Sequence, residues 1–283
     1  MTEPVAPTFG DIDDPARPLA VLVHGFPDTP YTWRHLGPRL AERGYRAVAP
    51  WLPGYGAPHS GPVSVGTYVR YILDIRDTYR GDERAVLIGH DWGANAGYGA
   101  VSADPSAFAR LVTMAVPPTA VLGQGLFSYA QLRRSFYIWF IQQPGLAEMA
   151  LLAEGFWESL WRDWSPGYDA TADLAELRRH VTAETIGGVI NPYRASFNPD
   201  CADPVAEVEA LAAMNLPSIP TLYLHGRQDG AIGAELVDDA LTSLPAPGSA
   251  FEMLEGVGHF LHLEAPDAVA ERIVGWLAQP AAL

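Results

Sequence analysis

The chain contains no lysine; all 18 of its basic residues are arginine. That excludes lysine Schiff-base chemistry and a lysine-bearing phosphate loop. Positive charge is scarce altogether. Against 33 acidic residues it leaves a formal net charge of −15, so nucleic acid and anionic membrane surfaces are poor partners. Cys201 is the only cysteine, which rules out an intramolecular disulfide and a disulfide-stapled secreted fold. No reactive motif surrounds it, and a half-buried or surface thiol is expected. No apolar run approaches the roughly 20 residues that span a bilayer. Met1-Thr2-Glu3-Pro4 has neither a basic n-region nor an apolar stretch behind it. The expectation is a cytoplasmic protein, monomeric or a homodimer, without membrane attachment.

What is present is material for a core, 48% apolar residues against 18% charged. Short apolar runs at Leu19 to Val23, Arg46 to Ala49, Ala85 to Ile88, Leu111 to Ala115, Thr221 to Leu224 and Phe251 to Leu254 read as buried strands of a mostly parallel sheet. Between them lie helical stripes: Tyr68, Tyr71, Ile72, Ile75 and Tyr79, and later Val269, Ile273, Trp276 and Leu277. The alternation predicts an α/β fold. After Val116-Pro117-Pro118 the order breaks and resumes near Pro217, a gap of about 100 residues that no ordinary connection fills. Residues 1–117 and 217–283 are therefore expected to form the core, and 118–216 an inserted helical cap. Rings crowd its first part, from Phe127 to Tyr168, well above the 11% of the whole chain.

The run Ala85-Val86-Leu87-Ile88-Gly89-His90-Asp91-Trp92-Gly93 reads as strand, sharp turn and helix, with glycine two residues either side of Asp91. Small flanking residues let such a turn close and push its central side chain out above the sheet. This is a nucleophile elbow carrying Asp where esterases carry Ser. No histidine pair has metal-ligand spacing, so no metal and no cofactor is expected. His24 and His90 read as braces of their turns. His35, His59, His180 and His225 carry no motif.

With these residues the chain resembles the aspartate-nucleophile branch of the α/β-hydrolase family, which holds the epoxide hydrolases and the haloalkane dehalogenases. The likeness covers nearly the whole length. It implies an α/β-hydrolase fold, a mostly parallel sheet flanked by helices with an inserted helical cap. His24-Gly25-Phe26-Pro27-Asp28 resembles the family's oxyanion-hole turn, so the backbone amides of Phe26 and Trp92 would face the nucleophile. Asp229 stands where the family places its triad acid and His259 where it places the histidine, and the order nucleophile, acid, histidine holds. His262, in the same loop, is the one serious rival for the base. No acid follows Leu111 to Ala115, where some dehalogenases carry theirs.

A carboxylate nucleophile suits attack on a saturated carbon, giving an alkyl ester that water then cleaves. An epoxide leaves as an alkoxide and needs a proton donor, whereas a halide needs only N–H groups. Tyr137, at the matching distance before Gln142-Gln143-Pro144-Gly145, and Tyr193, in the pair Tyr193-Arg194, resemble the two ring-opening tyrosines of epoxide hydrolases. Phe26 occupies the place where many dehalogenases put a halide-binding Asn. The resemblance thus implies hydrolysis of a small apolar epoxide to a vicinal diol through an ester on Asp91. A haloalkane dehalogenase and a non-catalytic ligand receptor on the same scaffold are the alternatives. Pro4, Pro7, Pro15 and Pro18 punctuate the segment before Leu19, so the two leading strands common in this fold are expected to be shortened or partly lost.

Overall fold

The computed structural model describes residues 4–280. Seven strands form one sheet in the order β1-β3-β2-β4-β5-β6-β7: β1 Thr8–Phe9, β2 Leu19–Val23, β3 Arg46–Val48, β4 Val86–His90, β5 Arg110–Met114, β6 Thr221–Gly226 and β7 Ala250–Leu254. Six are parallel, with Val21 beside Leu87, Leu87 beside Leu111 and Leu111 beside Thr221. β1 alone runs antiparallel, against β3. Among the described residues this two-residue strand is the only one before β2, in keeping with the proline-rich lead.

The middle strands are buried throughout, and successive side chains serve opposite faces because a strand alternates with period two. Val21, Leu87 and Leu111 point into one core; Leu22, Ile88 and Val112 point into the other. Helices α1 (Leu36–Glu42) and α12 (Pro266–Leu277) contact each other, and their buried Leu40, Ile273 and Trp276 fill the second core. Helices α2 (Val65–Thr78) and α3 (Trp92–Ala103) pack together against the first. The stripe read from the sequence is the buried side of α2, with Tyr68 and Ile72 fully enclosed.

Between β5 and β6 the described chain forms no strand. It makes α4 Thr119–Gly125, α5 Tyr129–Arg134, α6 Phe136–Ile141, α7 Leu146–Leu152, α8 Phe156–Trp164, α9 Thr171–His180, α10 Ile186–Ala195 and α11 Glu207–Ala212. The last of these packs on α2 and α3. In α8, Trp157, Trp161 and Trp164 fall at i, i+4 and i+7 on one face, and that face is buried. It lies over the loops at the sheet edge: Trp161 stacks on Phe260 at 3.6 Å between ring centroids and donates from Nε1 to the Pro27 carbonyl at 3.2 Å.

Because β2 and β4 to β7 run parallel, the segments following β2, β4, β6 and β7 all emerge at one edge. Sites in open α/β sheets gather there, where the strand order reverses. Phe26, Asp91, Asp229 and His259 lie on these segments.

Candidate active site

Asp91 sits between β4 and α3 with φ 52° and ψ −117°, a conformation an L-residue holds only when its surroundings force it. The close approach behind it explains the two glycines. A Cβ on Gly89 would lie 2.2 Å from the Gly93 carbonyl oxygen, and one on Gly93 would lie 2.1 Å from that of Val23. The strained turn presents the carboxylate to the loop after β2, and the Phe26 N–H donates to Asp91 Oδ1 at 2.7 Å.

His259, buried on the loop after β7, faces both acids. Its Nδ1 is 2.9 Å from Asp229 Oδ2 and its Nε2 is 3.7 Å from Asp91 Oδ2. Asp229 Oδ1 is fixed separately by the N–H groups of Ala231 and Ile232, at 2.7 and 2.9 Å. The Trp164 carbonyl at the end of α8 accepts the N–H groups of both Gly230 and His259, at 3.1 and 3.0 Å, so one residue of the insertion ties the acid and histidine loops together.

The two tyrosines singled out from the sequence meet over this group. Tyr137 on α6 and Tyr193 on α10 are buried with ring centroids 5.6 Å apart, and Tyr193 lies edge-on to both Phe26 and Trp92 at 4.9 Å. His259 Nε2, Trp92 Nε1 and the Tyr193 hydroxyl are buried polar atoms without a hydrogen-bond partner, and all three belong to this site. Groups so placed suit a polar ligand, because leaving them unpaired costs about 1–3 kcal/mol each.

The model of the alpha/beta hydrolase family matches residues 20–272. The chain belongs to that family. It is 29% identical to epoxide hydrolase A of Mycobacterium tuberculosis, over 93% of this chain and 91% of that one. Identity to an epoxide hydrolase of Caballeronia sordidicola is 30%, over 93% and 88%. Among solved structures, epoxide hydrolase A of Mycobacterium thermoresistibile superposes with a TM-score of 0.75 at 24% identity, covering 97% of this chain and 95% of that one.

Within this α/β-hydrolase the two acids facing His259 differ in charge preference. Burial lifts the Asp91 carboxyl above its ordinary range, against the pull of His259 and of the Phe26 and Trp92 amides. Burial acts on Asp229 too, but His259, His225 and the Ile232 amide outweigh it and hold that carboxyl below the ordinary range. For His259 burial pulls down, while Asp229 and then Asp91 raise the imidazole above its usual value. Burial keeps both tyrosine hydroxyls protonated, and the nearby Asp91 charge adds to the effect.

The other buried histidines are engaged by partners of their own, and His90 and His225 lie beside the site. His24 Nε2 accepts the Leu52 N–H, and His90 Nε2 meets the His259 carbonyl at 3.0 Å. His262, the rival base, stacks on Trp33 and bonds Thr32 Oγ1, away from the acids at Asp91 and Asp229. His225 Nε2 lies 3.9 Å from Asp229 Oδ2. Asp28, His90 and His262 could together hold a metal ion, since a ligand atom of each lies within 4.8 Å of the others.

Two residues escaped the sequence reading. Asp28, at the end of the oxyanion motif, is buried with Oδ2 unpartnered. Glu264 braces the histidine loop, accepting the Gly258 N–H at 2.7 Å and the Ser165 hydroxyl at 2.6 Å, while Ser165 accepts the Phe260 N–H at 3.0 Å. A carboxylate inside the apolar run Phe260 to Ala265 was the available signal for Glu264.

Proposed function

We infer that the chain is an epoxide hydrolase that opens its substrate with Asp91. The observation that carries this reading is the pair of buried, protonated tyrosines above a carboxylate that has its own histidine and acid. Tyr137 and Tyr193 bind the epoxide oxygen and supply the proton that the leaving alkoxide needs. Asp91 attacks a ring carbon, the C–O bond breaks, and an alkyl ester forms.

Ester formation also removes the Asp91 charge, one of the groups that raise the His259 pKa. Its loss lowers the His259 pKa and favours the neutral imidazole, the form that can accept a proton when a base is needed. His259, oriented by Asp229, takes a proton from water as it attacks the ester carbonyl, and the amides of Phe26 and Trp92 stabilise the oxyanion. Its collapse breaks the acyl C–O bond, the departing diol oxygen takes the proton from His259, and the proton left on the restored Asp91 carboxyl returns to the tyrosine. Residues 118–216 serve as the cap. A cavity of about 440 Å³ reaches Asp91, Tyr137 and Tyr193 and is lined mainly by apolar side chains such as Val116, Leu122, Ile138 and Met214. That lining favours a small, apolar epoxide.

The unpartnered Trp92 Nε1 gives the haloalkane reading its one support, since an indole N–H can hold a departing halide. Release of halide faster than any epoxide is opened would select it. The mechanism itself is tested by a single turnover with enzyme in excess in heavy-oxygen water. The diol should carry mostly unlabelled oxygen while the peptide containing Asp91 gains the label, because solvent refills the carboxylate. Labelled diol with an unlabelled peptide would mean direct attack by water.

A further inference from the structure

The two flanks of the site differ in room. The cavity at Asp91 is walled by α4, the N-terminus of α2 and the region of α10 and α11, and it ends among exposed Phe197, Leu211 and Met214. Trp157, Trp161 and Trp164 do not line this cavity; they are each 1% exposed and packed with Phe26 and Phe260, a closed wall beside it. Trp164 is the innermost part of this wall. Its ring lies 4.9 Å from the centroids of both Tyr137 and His259.

Behind the wall is a second cavity of about 380 Å³, lined by Trp164 with Phe136, Leu160, Arg133 and Gly230. Neighbours in sequence thus face different spaces, Phe136 the outer cavity and Tyr137 the catalytic one. Trp164, which lines the second cavity, and Tyr137, which lines the first, meet ring to ring between them.

We propose that the site is one-armed and that Trp164 makes it so. The protein opens epoxides whose bulk hangs from one ring carbon, terminal epoxides above all, and Trp164 excludes a substituent on the other carbon. Oxygen held at the tyrosines with a ring carbon at Asp91 leaves one direction for a chain, toward α4 and α11. A second chain runs into Trp164, and interiors packed this closely yield little to an added group. The proposal rests on the epoxide reading above.

The test compares two octene oxides of the same formula, the terminal one and the internal trans one. Wild-type protein should favour the terminal isomer by about 100-fold in kcat/KM, the scale set by one or two misfitting carbons. Trp164→Ala, which joins the two cavities, should reduce that preference at least about tenfold. Because Trp164 also touches His259, the ratio and not the absolute rate is the measurement. Trp164→Leu provides the same reading if the alanine variant does not fold. On the open flank Leu122→Trp should slow a twelve-carbon terminal epoxide about tenfold more than a four-carbon one. Equal rates for the two isomers in the wild type, or an unchanged ratio in both Trp164 variants, overturns the proposal. Should no epoxide be opened, the parent reading fails instead. The shape is then decided by binding of the two corresponding diols, followed by tryptophan fluorescence. An affinity at least about tenfold higher for the one-armed diol upholds it, and equal affinities overturn it.

Discussion

The sheet edge and the helical insertion hold their polar groups by different means. At the edge the backbone does the holding: the Phe26 amide fixes Asp91, the Ala231 and Ile232 amides fix Asp229, and the Trp164 carbonyl ties the loops of Asp229 and His259 together. In the insertion rings hold rings. Tyr137 and Tyr193 are placed by Phe26, Trp92 and Trp164, and the Tyr193 hydroxyl has no partner. Backbone donors cannot be substituted away, whereas a ring contact changes with any neighbouring side chain. On the proposed reading, charge chemistry resides where the backbone does the holding, and the leaving oxygen and substrate shape where rings do.

The largest effect expected from this division is at the edge. Asp91→Asn and His259→Gln should each lower turnover at least about 1,000-fold, the size seen when one member of a nucleophilic set is removed. They should fail at different steps. His259→Gln can still form the ester, so intact mass after mixing with an epoxide should show protein plus substrate, and Asp91→Asn should show no adduct. His262→Gln, with its ring on Trp33, should turn over within about tenfold of wild type. An adduct that builds up in His262→Gln and not in His259→Gln would reverse the assignment of the base.

Smaller losses are expected in the insertion, because the proposed mechanism gives two hydroxyls one task. Tyr137→Phe and Tyr193→Phe should each slow ring opening by roughly 10 to 1,000-fold, and the double variant should be nearly inactive. Rapid mixing that follows adduct formation in a His259→Gln background isolates this step. A double variant that alkylates at the wild-type rate would remove the tyrosines from the chemistry and leave the edge as the whole site.

The same division governs what was legible in the sequence. Asp91, Asp229 and His259 lie in short motifs directly after strands, and strand runs with their turns are local patterns, so the six main strands and the edge of the sheet could be read directly. The insertion was visible only as a gap and a density of rings. Tyr137 and Tyr193 stood out by resemblance, but which rings would wall them was not legible. The contact of Trp161 with Phe260 joins positions 99 residues apart in sequence by packing alone. Asp28 and Glu264 escaped for a related reason. Part of their surroundings comes from segments distant in sequence, Ser165 for Glu264 and His90 and His262 for Asp28, and only the apolar neighbours of Glu264 hint at its burial beforehand.

The smallest expected effect lies where the two regions are fastened. Arg34, on the turn Pro30–Arg34 that follows Phe26, donates to both oxygens of Asp173 on α9, at 2.7 and 3.3 Å, and Tyr168 donates to Asp173 Oδ2 at 2.8 Å. The pair is unequal: the Asp173 side chain is 3% exposed and that of Arg34 21%. Removing one partner costs most when the other is left charged and buried. Arg34→Ala strands a carboxylate away from water, whereas Asp173→Ala leaves a guanidinium that can turn outward. Arg34→Ala should therefore cost about 2 kcal/mol and Asp173→Ala about 1 kcal/mol, discounted from the fully buried case because Arg34 reaches solvent. In thermal unfolding the first should lower Tm by about 4–8 °C and the second by about half of that. Limited proteolysis should find its earliest new cuts in the insertion, with the sheet still protected, if this pair fastens one region to the other. Equal losses from the two variants would mean that the charges are hydrated and the fastening rests on the α8 tryptophans alone.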